Sequence, residues 1–208
     1  MNKIITISRE FGSGGREIGR RLAETMKIAY YDQEIVAAMI KRSKKMGEYV
    51  QYMEKERPLP LLPITTARTF GLPTNEAVTE NLNFYIQESK IIQEAANQSD
   101  CVIVGRCADY VLGDMRPIRL FIYADIEYKI ARCKEKGDDA EHLTIPELRK
   151  KILSVDKKRS RYYQFYTNQV WGRKEHYDLC INTSRYGQIK EIISGLMALI
   201  NYCPPASQ

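Results

Sequence analysis

Short apolar runs alternate along this chain with longer stretches in which apolar residues recur at helical spacing. Five runs predict β-strands: residues 4–8, 28–32, 101–104, 118–124 and 177–184. The other stretches predict helices: one that starts after Gly15, then 33–45, 75–98, 125–136, 145–166 and 186–200. Such alternation predicts a three-layer α/β fold, in which helices cover both faces of a parallel sheet of about five strands.

Glycine and polar residues follow directly after several of the predicted strands, where open parallel sheets bind their ligands. They are Gly12–Gly15, Asp32, Gly105 with Arg106, Ala124 with Asp125, and Asn182 with Thr183. We expect them to converge, because the carboxyl ends of parallel strands lie at one edge of the sheet. Asp32 could accept a hydrogen bond from a substrate base or cap the helix that begins at residue 33, and the sequence leaves both roles open.

The composition indicates one sizeable globular domain: 208 residues, 44% hydrophobic and 28% charged. No apolar stretch approaches the roughly 18 residues that a membrane-spanning helix needs, and the N-terminus lacks a signal-peptide pattern. We therefore expect a cytoplasmic protein with no membrane partner. Five cysteines without C-x-x-C spacing predict neither a disulfide framework nor a zinc site.

The segment 57–73 interrupts the helical pattern with four of the eight prolines. A linker would fit this pattern. The apolar content of the segment instead favours an ordered cover over a pocket or a contact between copies of the chain, so a homo-oligomer stays open.

The net charge of +6, from 32 basic and 26 acidic residues, could serve nucleic-acid binding or bind the phosphates of a small ligand. The basic residues are scattered over several loops, and no zinc-finger or aromatic RNA-binding signature is present. The segment 155–177 interleaves basic and aromatic residues, but alone it offers a contact of only mononucleotide size. We therefore predict a lid over a nucleotide here, and no nucleic-acid partner.

The first strand leads into the glycine cluster 12–15 and then into a helix. Phosphate-binding loops are built this way, because glycines let successive backbone N–H groups face an anion and the helix adds its N-terminal donors. A simple turn of the chain gives the same pattern. The lysine and hydroxyl residue of the motif G-x-x-x-x-G-K-[ST] are absent, since Arg16 and Glu17 follow Gly15.

Phosphoryl transfer needs cations around the phosphates, and arginine grips phosphate oxygens in pairs. Five arginines are candidates: Arg16 in the loop, Arg106 at a strand end, Arg132 on the fourth-strand helix, and Arg159 and Arg161 in the basic and aromatic segment. For Arg132 taken alone, an ordinary surface position on its helix is the simpler interpretation.

Together these segments resemble the cytidylate kinase-like family, a branch of the P-loop nucleoside monophosphate (NMP) kinases. The resemblance rests on ITISREFGSGGREIGRRLAE, YYDQEI, VIVGRCADYVL, RLFIYADIEYKIAR, VDKKRSRYYQFYTNQVWG and YDLCINTS, in this order. It implies one kinase-like domain over residues 1–208, with an NMP-binding insert region at 33–98 and a lid region at 137–176.

Matched segment by segment, the resemblance implies that ATP phosphates are bound by Gly12, Ser13, Gly14, Gly15, Arg16 and Glu17. It implies substrate contacts for Asp32, Arg106, Asp109 and Asp156, and catalytic roles for Arg16, Arg132, Arg159 and Arg161. The family uses Mg²⁺ with ATP. Glu17 stands close to where the metal-binding hydroxyl is expected, so it is a candidate metal ligand or an acidic residue that stabilises the helix start.

The implied activity is ATP-dependent phosphorylation of an NMP, with CMP or dCMP as the expected acceptor. Two departures from the family pattern keep alternatives open: Arg16 stands in place of the lysine, and Gln33 and Glu34 follow Asp32 in place of a serine and an arginine. The alternatives are a nucleotide-binding sensor with weak or no catalysis, and a P-loop kinase for another small acceptor.

Overall fold

The computed structural model describes residues 2–42, 75–136 and 142–202, and a parallel five-stranded sheet lies at its centre. The strands are β1 (Ile4–Arg9), β2 (Ala29–Tyr31), β3 (Cys101–Val104), β4 (Ile118–Tyr123) and β5 (Leu179–Asn182). Every pairing is parallel, and the order β2-β3-β1-β4-β5 puts β1 in the middle. The proline-rich segment 57–73, with its predicted cover or contact between copies, lies outside the described residues.

Helices connect the strands. In the described part of the chain they are α1 (Gly15–Met26), α2 (Gln33–Arg42), α3 (Asn75–Gln98), α4 (Ala108–Val111), α5 (Ile126–Lys136), α6 (Ile145–Thr167) and α7 (Ile189–Tyr202). Short 3-10 turns occupy Gly113–Met115, Lys174–His176 and Thr183–Arg185. The predicted α/β fold is confirmed. The last helix begins at Ile189, three residues later than predicted, because the chain bends at residues 186–187 after the 3-10 turn.

Hydrophobic clusters cover the two faces of the sheet. On one face, Ile5 and Ile7 of β1 pack with α1 and α7. On the other face, Ile4 packs with Ile103 of β3 and with α3. Successive side chains of a strand point to opposite faces, so β1 is buried on both sides, and its polar residues Thr6 and Ser8 are buried as well. A third cluster joins α5 to α6 beside Phe11.

The segments that leave the strands are tied together at the carboxyl edge of the sheet. The N–H of Gly105, after β3, donates to the carbonyl of Ile7 at 3.0 Å. The hydroxyl of Thr183, after β5, donates to the carbonyl of Ser13 at 2.8 Å. These bonds bring the glycine loop, the end of β3 and the end of β5 to one place.

Among the described residues, no helix is both long and apolar enough to cross a bilayer.

Candidate active site

The glycine loop between β1 and α1 presents a row of backbone N–H groups. Gly12 and Gly14 have φ values of 77° and 82°, in the left-handed region that favours glycine. The N–H groups of Gly14, Gly15, Arg16 and Glu17 donate to no acceptor among the described residues, as expected for the first turn of a helix. With the positive end of the helix dipole behind them, these donors suit an anion.

Ser13 supports the loop through the hydrogen bonds of its side chain. Its buried hydroxyl lies 2.8 Å from the carbonyl oxygen of Glu10 and 3.1 Å from that of Ile122, and it shares its single proton between them. Gly12, Gly14 and Gly15 border the adjoining cavity, whereas Ser13 does not. The side chain of Ser13 therefore holds the loop in shape.

The cavity in front of the loop has a volume of about 440 Å³, within the range of small-molecule sites. Six basic residues line it: Arg9, Arg16, Arg132, Lys136, Lys151 and Arg159. Four acidic residues line it as well: Glu10, Glu17, Asp32 and Glu34. The surplus of cations suits a ligand with several negative charges, such as the phosphates of a nucleotide.

Arg16 is held at the edge of this cavity by two carboxylates. Its Nε donates to Asp32 Oδ2 at 2.9 Å, and its two Nη atoms donate to the carboxylate of Glu34 at 2.9 and 2.7 Å. The hydrogen bonds with Glu34 and the charge of Asp32 raise the pKa of Arg16, against the effect of burial. The guanidinium is therefore bound to the start of α2, and its side chain remains 58% exposed.

Asp32 caps α2. Its Oδ1 accepts the N–H groups of Glu34 and Ile35, each at 3.1 Å, while Oδ2 accepts from Arg16 and, at 3.3 Å, from the hydroxyl of Tyr30. Of the two roles that the sequence left open, the structure contains the helix cap. Both carboxylate oxygens are occupied by these contacts.

Glu17 lies among cations. Its carboxylate contacts Arg132 at 2.6 Å, Arg21 at 2.9 Å and Lys136 at 3.5 Å. Burial raises the pKa of Glu17, but the hydrogen bonds from Arg132 and Arg21 outweigh it and lower the pKa to about 2. Glu17 thus orients Arg132 beside the loop, and a metal ion bound directly to this carboxylate would have to replace these cations.

A metal site made by the protein alone would need several ligands close together. The described residues contain no group of three or more His, Cys, Asp and Glu side chains that could hold a metal ion.

The helix α6 contacts the segment that enters the loop. Asp156 Oδ1 accepts the N–H of Phe11 at 2.7 Å, and Arg159 donates to the carbonyl of Arg9 at 3.1 Å. The Arg159 guanidinium also lies over the Phe11 ring, 5.8 Å from its centre. Arg159 lines the cavity and Asp156 lies just behind it, whereas Arg161 is exposed on α6 and does not line the cavity.

A buried ion cluster supports the same segment, and the sequence analysis missed it. Lys129 of α5 is 5% exposed, and its ammonium contacts Glu10 at 2.9 Å and Asp156 at 3.0 Å. Burial lowers the pKa of Lys129, but its hydrogen bonds to these two carboxylates outweigh that effect and leave the pKa raised. The cluster ties α5, α6 and the loop entrance together.

The turn after β3 carries Arg106. Gly105, Arg106 and Cys107 have consecutive φ values of 85°, 56° and 53°. Residues with side chains cost about 1–2 kcal/mol each in this left-handed region, and such strain occurs most often at functional sites. Arg106 forms an ion pair at 3.2 Å with Glu88 of α3. The ring of Tyr162 lies 5.8 Å from its guanidinium.

Arg106 and Asp109 thus lie behind the cavity lining, against α3 and α6. Burial raises the pKa of Glu88 despite the charge of Arg106 and the hydrogen bond from Tyr162. Asp109 is buried and accepts a hydrogen bond of 2.7 Å from Tyr163. Burial likewise raises the pKa of Asp109.

Arg9 is the second group that the sequence analysis missed. It lines the cavity at the carboxyl end of the central strand. The signal was present, because an apolar strand that ends in a charged residue directly before a glycine loop points that residue at the loop. Arg132 and Arg159, by contrast, were candidates from the sequence and both border the same cavity as the loop.

Comparison with solved structures gives three informative similarities. The chain is 25% identical to an uncharacterized protein from Eubacterium ventriosum ATCC 27560, with a TM-score of 0.71 over 97% of this chain and 99% of that one. It shares 15% identity and a TM-score of 0.54 with shikimate kinase from Acinetobacter baumannii in complex with shikimate, over 98% and 97% of the two chains. A gluconokinase from Sinorhizobium meliloti 1021 shares 12% identity and a TM-score of 0.50, over 96% and 91%.

The last two similarities show the fold alone, which this chain shares with that shikimate kinase and that gluconokinase. No curated protein matched the chain. The family model described as the cytidylate kinase-like family matches residues 4–185, which include all five strands, the glycine loop and both helices that meet it. The chain therefore belongs to the cytidylate kinase-like family.

Proposed function

We propose that this protein transfers a phosphoryl group from ATP to an NMP, with CMP or dCMP as the first acceptors to test. One observation carries the proposal. The unbonded N–H groups at residues 14–17 and the guanidinium groups of Arg132 and Arg159 border a single cavity. Positioning and charge neutralisation supply most of the catalysis in phosphoryl transfer, and these groups provide both.

The loop amides would hold the ATP phosphates, with Arg132 and Lys136 beside them on α5. ATP supplies the phosphoryl group as its Mg²⁺ complex, and the metal neutralises part of the phosphate charge. Glu17 keeps Arg132 in place through their 2.6 Å contact, so it acts in this proposal as a positioning residue. A direct bond from Glu17 to Mg²⁺ remains the alternative that the family resemblance suggested.

Two further regions complete the proposal. Residues 33–98 serve as the acceptor-binding insert, and Glu88 of α3 in this range pairs with Arg106. Residues 137–176 serve as the lid, in which Asp156 and Arg159 already contact the loop entrance. Closure over the cavity would exclude water and bring Arg159 towards the transferred group. The exposed Arg161 would join the site only through such a movement.

A kinase for another small acceptor is the second candidate, and Asp32 favours it. Both oxygens of this carboxylate are taken up by the α2 cap, Arg16 and Tyr30. Cytosine recognition by Asp32 would have to break these bonds. The ion pairs of Arg16 similarly favour weak turnover, which keeps a nucleotide-binding sensor as the third candidate.

The test is an assay of ADP release with Mg-ATP and each of CMP, dCMP, UMP, AMP and GMP, followed by shikimate and gluconate. Turnover with an NMP supports the proposal, and turnover with a hydroxyl acceptor selects the second candidate. If no acceptor stimulates ADP release while ATP still binds, the protein is not a kinase for these compounds and the sensor is favoured. Arg132→Gln should lower turnover, with exposed Arg20→Gln as the matched control.

A further inference from the structure

Arg9 occupies a slot that two glycines leave open. A Cβ atom on Gly15 would lie 2.5 Å from the Cβ of Arg9, and one on Gly105 would lie 2.9 Å from its guanidinium carbon. Atoms without a covalent bond do not approach this closely in a packed protein, so any side chain at either glycine would displace Arg9. The slot therefore exists only because both neighbours are glycines, and it opens on the cavity.

Arg9 forms no ion pair with a carboxylate in the part of the chain that the structure describes, and the charge of Asp32, which is itself paired with Arg16, offsets only part of its own. Burial, followed by the charges of Arg159 and Arg106, lowers the pKa of Arg9 to about 9. The guanidinium is nevertheless charged at neutral pH. Desolvated like charges are costly unless an anion joins them, so this cluster is suited to binding one.

The other two arginines of the cluster are already engaged. Arg106 pairs with the buried carboxylate of Glu88, and Arg159 donates to the carbonyl of Arg9. Arg9 is therefore the member of the cluster whose charge the described part of the protein leaves least compensated.

The cations around the loop lie on two sides of it. Arg132 belongs to α5, which follows β4, and its Nε would lie 3.3 Å from a Cβ on Gly14. Arg9 lies against Gly105, which follows β3, and β3 and β4 flank β1 on opposite sides. A kinase for an NMP must hold two anionic substrates at once, and the β4 side with the loop amides serves ATP in the proposed function. The β3 side is then left for the acceptor.

We propose that Arg9 binds an oxyanion of the acceptor, which is the phosphate monoester when the acceptor is an NMP. This inference rests on the proposed function and adds a residue that selects acceptors by their negative charge. A carboxylate offers the same pair of oxygens to the guanidinium fork, so phosphate and carboxylate acceptors are separate arms of the test.

The experiment compares wild type, Arg9→Gln, Arg9→Lys and the exposed control Arg20→Gln in steady-state kinetics. With saturating Mg-ATP, Arg9→Gln should raise the KM of the phosphate or carboxylate acceptor about 10- to 100-fold, the loss expected for one charge-assisted hydrogen-bonding group. The KM of ATP should change less than about threefold, within the range of a residue that makes no ATP contact. Arg9→Lys keeps the positive charge but not the guanidinium fork, so its acceptor KM should lie between those of wild type and Arg9→Gln. If Arg9→Gln does not fold, the acceptor KM of Arg9→Lys tests the inference in its place.

An unchanged acceptor KM in Arg9→Gln, or a rise confined to the KM of ATP, overturns the inference while leaving the kinase function intact. If wild type turns over no acceptor, the proposed function fails and the inference is tested by binding alone. Inorganic phosphate and acetate are then titrated calorimetrically with the loop saturated by a non-hydrolysable ATP analogue. Weaker binding of either ion by Arg9→Gln than by Arg20→Gln supports the inference, and equal binding overturns it.

Discussion

Several charged side chains of the cavity form ion pairs with one another. Glu17 holds Arg132 on the α5 side of the loop, and Asp32 with Glu34 holds Arg16 at the start of α2. The Glu17–Arg132 pair is largely removed from water and fixes its side chains more firmly than the exposed Arg16–Glu34 pair does. Each carboxylate thus keeps a cation near the loop, and an incoming phosphate can replace the carboxylate as its partner.

The depressed pKa of Glu17 predicts how stability depends on pH. Because the folded pKa is about 2 and the ordinary value is 4.5, the stabilisation is complete above about pH 4.5 and is lost as the pH falls towards 2. Glu17→Gln should lower the free energy of unfolding at pH 7 by about 2–3 kcal/mol and flatten its decline in acid. Urea unfolding at pH 7, 4.5 and 3 measures the free energy of unfolding and its decline in acid, with the exposed Glu24→Gln as control. If the free energy of Glu17→Gln declined as steeply as that of wild type, Glu17 would not be the group with the lowered pKa.

At the level of residues, the sequence pointed to Arg132 and Arg159 as candidates because each lies on a recognisable helix, and both line the cavity. It did not identify Lys129 or Arg9. Lys129 reaches its partners Glu10 and Asp156 from distant parts of the chain, so its burial follows from packing of α5 against α6 and not from any local pattern. Arg9 stands at the end of β1, and its position beside the cavity depends on Gly105, which the β1–β3 pairing brings close.

Asp32 caps the start of α2 and also lines the cavity. Asp32→Ala removes the acceptor for the N–H groups of Glu34 and Ile35, so it should lower the free energy of unfolding by about 1–2 kcal/mol. Asp32→Asn keeps an oxygen for these groups and should recover most of that loss. Chemical denaturation compares the two variants. A large rise in acceptor KM in both, without a loss of stability, would instead support contact with the substrate base.

Elements were predicted well where their periodicity is strong. All five strands and the helices at 75–98 and 125–136 were predicted. The short apolar runs indicate strands, and the helical spacing of apolar residues indicates helices. Element ends were less predictable. The strand expected at 177–184 is confined to Leu179–Asn182, since Asn182 accepts the N–H of Ser184 and starts a 3-10 turn. Such side-chain bonds compete with strand pairing.

At the scale of the whole molecule, the glycine loop and the cations around it lie at one edge of the sheet. The Thr183 hydroxyl, the Lys129 cluster and the Arg159 bond fix the glycine loop to β5, α5 and α6. A loop held from three directions keeps its N–H groups oriented before any ligand arrives, which reduces the entropy lost on binding. The parallel sheet could be predicted from the order of elements, whereas these three connections depend on the packed structure.

Binding of Mg-ATP should stabilise the whole molecule through this loop. At about 100 times the dissociation constant, a ligand adds about 2.7 kcal/mol, which for a chain of this size raises Tm by roughly 5–10 °C. Gly14→Ala should abolish the shift, because its Cβ would collide with Ile189 and crowd Arg132 at a left-handed position. Gly195→Ala in α7, where a Cβ meets open space, is the matched control and should keep the shift.

Thermal unfolding is measured for wild type and both glycine variants, with and without Mg-ATP. The shift in Tm caused by the ligand is compared, and not the absolute Tm. Because the attraction is between phosphates and partly exposed cations, the shift in wild type should also shrink as salt increases. A full shift in Gly14→Ala would mean that ATP binds elsewhere than the loop. That result would contradict the kinase proposal, because the loop amides and the cations around them would not bind the ATP phosphates.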